Sequence, residues 1–158
     1  MQNPRITDKI STSHNGIAKE EYPMSRVILG LKGSGKTKKL IEAIHETLTH
    51  ANGDVVCIEY GKKLTYDVNY KVRLVDSQEY AINNTDMLKG FLSGLHAGNF
   101  DITHVFIDNL YKTIGHDVAA AEEFIGWCAQ FAAVNNMNIT MTISEDPTNL
   151  SEDVRKYL

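Results

Sequence analysis

The sequence predicts an α/β protein, a three-layer sandwich with helices on both faces of a mostly parallel five-stranded sheet. Three observations predict it. From Ser25 onward, short β-branched runs alternate with longer segments of helical periodicity, the pattern of crossover units. The length of 158 residues suits one domain with a sizeable core and is too short for a second of similar size. A composition of 42% hydrophobic and 23% charged residues is that of an ordinary globular domain.

Residues 1–23 are polar, contain Pro4 and Pro23 and show neither helical nor strand periodicity, so they are expected to be a disordered or non-native extension. The domain is expected over 24–158. Lys19-Glu20-Glu21 can be encoded by a purine-rich bacterial ribosome-binding sequence, which makes Met24 a candidate natural start. Met1 or Gln2 at the N-terminus of the natively expressed protein would refute that start. Strands are expected at 26–29, 54–60, 71–76, 104–108 and 139–144. A helix over 36–50 carries Leu40, Ile41, Ile44 and Leu48 on one face and stops at Asn52-Gly53. A second, over 85–97, repeats Met87, Leu88, Phe91, Leu92 and Leu95 at helical spacing. A third runs from Asp117, a suitable N-cap, to Val134 and carries Phe124, Ile125, Cys128 and Phe131. Residues 146–158 open on a proline turn and end in a short helix.

Composition narrows the function classes. No apolar run approaches the roughly 18 residues that span a bilayer, and the N-terminus has no apolar h-region, so a soluble, cytoplasmic protein without a membrane partner is expected. The net charge of -4 and the lack of an Arg-rich stretch argue against a nucleic-acid surface. Cys57 and Cys128 fall in a strand and a helix without zinc spacing and read as reduced core thiols. The dense basic group Lys32, Lys36, Lys38 and Lys39 instead surrounds a glycine-rich loop.

That loop is Gly30-Leu31-Lys32-Gly33-Ser34-Gly35-Lys36-Thr37, which fits G-x-x-x-x-G-K-[ST] between a predicted strand and a predicted helix. Glycines at 30, 33 and 35 let the backbone turn its N–H groups inward, where with the helix N-terminus they bind phosphate oxygens. Lys36 then reaches the outer phosphates and the Thr37 hydroxyl ligates magnesium. The second element, Val105-Phe106-Ile107-Asp108, is an apolar strand ending in a carboxylate.

These segments resemble the P-loop NTPase superfamily: 30–37 looks like its Walker A motif and 105–108 like its Walker B motif, over a span of 25–144. The strand at 139–144 resembles the RecA-like branch, whose last strand inserts between the two motif strands. The resemblance implies a P-loop fold, ATP or GTP as ligand, magnesium at Thr37 and Asp108, and Ser144 as a γ-phosphate sensor. The layout is also similar to small stand-alone bacterial P-loop proteins of unclear function. One departure stands beside Asp108. Many members of the branch have Glu next, to polarise the attacking water, and this chain has Asn109. Glu59, ending the second strand, or Glu145, closing the last, are the candidates to replace it, against the plainer reading of Glu59 as a surface residue at a strand end.

The six histidines read as surface residues, and Trp127 as core. Only Arg5, Arg26, Arg73 and Arg155 are available to meet transferring charge, so fast hydrolysis would need an Arg from a protein partner or a second subunit. Three functions compete: a slow or partner-activated ATPase, a small-molecule kinase, which the scattered arginines fit poorly, and a non-hydrolysing module that senses the nucleotide.

Overall fold

The computed structural model describes residues 25–158, so the expectations for residues 1–23 and for a start at Met24 lie outside the described residues. β1 (Ser25–Gly30) turns into α1 (Lys36–Leu48), followed by β2 (Asp54–Glu59) and β3 (Arg73–Asp76). Then come α2 (Thr85–Gly98), β4 (Ile102–Ile107), α3 (Leu110–Ile114), α4 (Val118–Asn135), β5 (Asn138–Ser144) and α5 (Glu152–Arg155).

The sheet runs β1-β5-β4-β2-β3 and every neighbouring pair is parallel. Parallel strands require crossovers: α1, α2 and α4 lie in three of them, and residues 60–72, which contain no helix, join β2 to β3. The chain crosses from β1 to β2, moves outward to β3, then returns through β4 to β5, which fills the place between β1 and β4 as expected. Alternation divides the core between two faces. Ile28, Val55, Cys57 and Phe106 pack with Leu40 and Ile44 of α1. Val56, Ile58, Val105, Ile107, Ile139, Met141 and Ile143 pack with Leu88 and Leu92 of α2 and with Phe124, Ile125 and Cys128 of α4. The result is a three-layer α/β sandwich. Cys57 and Cys128 are free and buried, and burial pushes both thiols up, so they stay protonated.

Asp117 caps α4 as expected, its side chain accepting from the Ala120 N–H. Several boundaries differ from the sequence reading by one or two residues, β4 for example starting at Ile102 and ending before Asp108, and one helix is new. α1 stops at Leu48, because the Thr49 and His50 N–H groups bond to carbonyls three residues back and tighten the last turn. β3 begins only at Arg73, because an Asn69 turn holds the N–H groups of Lys71 and Val72. α3 was not anticipated: a helix of 5 residues is too short to show a period. At the β1 edge, Val27 N–H donates to the Tyr157 carbonyl at 2.7 Å, so the C-terminal segment lies along that strand. Among the described residues no helix is long and apolar enough to cross a membrane.

Candidate functional site

The turn between β1 and α1 sits at the carboxyl end of the sheet, where open α/β sheets bind ligands. Gly35, at the N-cap of α1, has φ 85°, a left-handed conformation that L side chains rarely adopt. Gly30 leaves room for a close approach: a Cβ there would strike the Ser34 hydroxyl, which would have to turn away. α1 has no side-chain cap and no acid in its first turn, where Lys36 and Lys38 stand instead. α2 and α4, by contrast, are capped by Asn84 and Asp117. Bare N–H groups and added positive charge at the positive end of a helix are unfavourable unless an anion binds there. Lys36 sharpens this. It is only 9% exposed, and its ammonium donates to the neutral Leu31 carbonyl at 2.9 Å.

Asp108 follows directly on β4 and faces the loop across β5. The Thr37 hydroxyl lies 3.2 Å from each Asp108 carboxylate oxygen. Thr142 of β5 donates its hydroxyl to Asp108 Oδ1 at 2.8 Å and accepts the Asn109 N–H at 2.7 Å. Asn109 adopts φ 55°, so the chain bends sharply after Asp108 and swings α3 over the strand ends.

The cleft so formed has a volume of about 610 Å³. Lys32, Lys36 and Thr37 line it from the loop, Thr142 and Ser144 from β5, and Asn109, Tyr111, Lys112 and His116 from the segment around α3. The adjacent Lys63 ammonium, with a smaller effect of Lys32, lowers Lys112 from the ordinary lysine value, against the opposing pull of Asp108. None of Lys32, Lys36, Lys63 and Lys112 makes an ion pair with a described carboxylate. Converging cations without acidic partners suit a polyanion. The arginine count in the sequence did not reveal this group, because Lys63 and Lys112 are distant from the loop along the chain.

Residues 30–37, Asp108 and Ser144 are brought together; Ser144 pairs in register with Gly30. Glu59 and Glu145 are not among the cleft-lining residues. Glu59 is 3% exposed, and its two oxygens accept the N–H groups of Lys63 and Leu64 at 3.1 and 3.0 Å, holding the loop after β2. Burial raises Glu59 above its ordinary range, partly opposed by those two bonds. Glu145 accepts from Tyr111 Oη, Asn149 Nδ2, the Asp146 N–H and His116 Nε2. Sequence reasoning missed Thr142, Lys112 and His116. A signal existed for Thr142: along the interior strand β5 it belongs to a polar row, Thr140, Thr142 and Ser144, opposite the apolar row of Ile139, Met141 and Ile143.

No known protein family matches the chain, and no curated protein does. The site must therefore be read from its own chemistry. Thr37 and Asp108 offer hard oxygen ligands of the kind magnesium takes together with phosphate oxygens and water. Among the described residues, no cluster of three or more His, Cys, Asp or Glu side chains could hold a metal with protein ligands alone.

The Glu145 network also makes a pH prediction. The Asn149 amide, then the Tyr111 hydroxyl and other donors, hold Glu145 below its ordinary 4.5, outweighing burial. The unfolded chain therefore takes up this proton first as pH falls, so the stability that Glu145 contributes is present above 4.5 and lost as pH drops through its folded value. Glu59 acts in the opposite sense: its contribution is complete below 4.5 and is lost as pH rises through its raised folded value. Urea melts at several pH values should show Glu145→Gln less stable than wild type at neutral pH, with a shallower fall in stability below pH 4.5. Parallel curves would disprove this role.

Proposed function

We propose that this chain is a P-loop nucleotide-binding protein that takes ATP or GTP with magnesium and hydrolyses it slowly or on activation by a partner. One observation carries the reading: an uncapped, glycine-built helix start, a buried lysine and a Thr37–Asp108 pair meet at the carboxyl end of a parallel sheet. In this reading the N–H groups of 30–37 and the N-terminus of α1 hold the β- and γ-phosphates. Lys36 gains the anionic partner that its buried position lacks. Thr37 and Asp108 hold magnesium, which neutralises phosphate charge when bound. Ser144, which pairs in register with Gly30 and lines the cleft, is the γ-phosphate sensor in this reading. Lys32, Lys63 and Lys112 supply cationic charge from within the chain, and an Arg from a partner or second subunit would add to it.

A second reading, a nucleotide sensor without useful turnover, is favoured by Asn109 standing where many P-loop proteins of the RecA-like branch have Glu, and by the structural bonds that occupy Glu59 and Glu145. The test is a titration of the full chain with ATP and GTP, with and without magnesium, beside Asp108→Asn. Binding should tighten with magnesium in the wild type and lose that dependence in the variant. If neither nucleotide binds, both readings are wrong.

A further inference from the structure

We infer that His116, oriented by Glu145, is the proton acceptor for the attacking water; this rests on the nucleotide reading above. Among the described residues lining the cleft, the lysines are cationic, and Asn109, Thr142 and Ser144 are very weak bases. Tyr111 donates its hydroxyl to Glu145, and burial followed by that bond pushes it far above the usual tyrosine range. The His116 imidazole is the remaining cleft-lining side chain with a basic nitrogen lone pair to offer.

The support under that imidazole is unusual for a surface histidine. His116 has 68% of its side chain exposed, yet its Nε2 lies 3.1 Å from Oε2 of a carboxylate that is only 5% exposed. That carboxylate is fixed by Tyr111 at 2.8 Å, by Asn149 at 2.8 Å and by the Asp146 N–H at 3.1 Å. The Tyr111 ring meets the imidazole edge-on with centroids 4.5 Å apart. A solvated histidine needs neither a buried acceptor nor an aromatic wall. A carboxylate at Nε2 selects the tautomer protonated there and leaves the Nδ1 lone pair as acceptor, the logic by which a second group orients a catalytic base. His116 belongs to the same segment as Lys112, and both line the cleft that Lys36 also lines.

The step balances. A water oxygen forms a bond to the γ-phosphorus, and the bond from that phosphorus to the β–γ bridging oxygen breaks with its electron pair onto the nucleoside diphosphate. One water proton passes to His116 Nδ1, and the imidazolium returns it to solvent after phosphate leaves. Glu145 stabilises the imidazolium through Nε2 and is a positioning residue.

The test uses the full chain with ATP and magnesium, wild type beside His116→Ala, reading kcat, KM, the affinity for a fluorescent ATP analogue and the melting temperature. General-base loss should lower kcat about a hundredfold. Analogue affinity should stay unchanged, the melting temperature should fall only slightly because the lost bond is largely exposed, and free imidazole in the buffer should restore part of the rate. A variant that hydrolyses ATP at the wild-type rate overturns the role of His116 and leaves the nucleotide site standing. So does a wild type that binds ATP but releases no phosphate. A wild type that does not bind ATP overturns both.

Discussion

Lys36→Ala is expected to cost about 3 kcal/mol of nucleotide binding, on the order of a hundredfold in Kd, without lowering the stability of the free protein by more than about 1 kcal/mol. The two halves of this expectation have one cause. In the free protein Lys36 is largely buried and its ammonium is bonded to the neutral Leu31 carbonyl, so its charge contributes little to the fold, and truncation loses mainly stem packing. With a triphosphate bound, the same ammonium becomes one partner of a desolvated charge pair, and truncation leaves phosphate charge unmet. Thermal melts separate the two. Wild type should gain about 2.7 kcal/mol at a nucleotide concentration of a hundred times Kd, and the variant at that concentration only a few tenths. A nucleotide-induced shift of equal size in both proteins would show that Lys36 does not meet the phosphates.

Phe124→Ala is expected to be the most damaging core substitution, at about 3–5 kcal/mol. Phe124 is 0% exposed in α4, beneath the partly buried Trp127, whose ring stacks on it at 6.2 Å and on Phe131 at 4.7 Å. Close packing of this kind cannot collapse to fill the space of a lost ring, so transfer and cavity terms add. Against a typical stability of about 5–15 kcal/mol, the loss should lower Tm by on the order of 10 °C. A destabilisation below about 1 kcal/mol would mean that α4 repacks, which its contacts with β1 and β5 oppose.

The position of Trp127 is one place where the sequence reading and the fold part. Helical spacing marks it as apolar, but it cannot distinguish a residue at the centre of the buried face from one at its margin, and Trp127 is only partly buried. α4 is apolar around most of its circumference, so the helix pattern was clear while its orientation was not.

Much of this protein is decided locally and is legible in the order of its residues. β-branched runs and helical periods depend on neighbours within a few positions, and they specify the five strands and the three long helices. The glycine loop is local too: Gly30 to Thr37 bring the bend, the ammonium and the hydroxyl to one place because they are consecutive. Even the Asp117 cap needs only the residues that follow it. What remained hidden joins residues far apart in the chain. Thr142 reaches Asp108 because β5 lies beside β4, and Ser144 reaches Gly30 because the same strand lies beside β1. Lys63 and Lys112 meet because the loop after β2 and the short helix after β4 share one end of the sheet. Glu59 and Glu145 look alike in sequence, each an acid at a strand end. Only the tertiary fold gave the first to backbone amides and the second to Tyr111, Asn149 and His116, because a carboxylate's role is set by the donors that packing brings within about 3 Å of it.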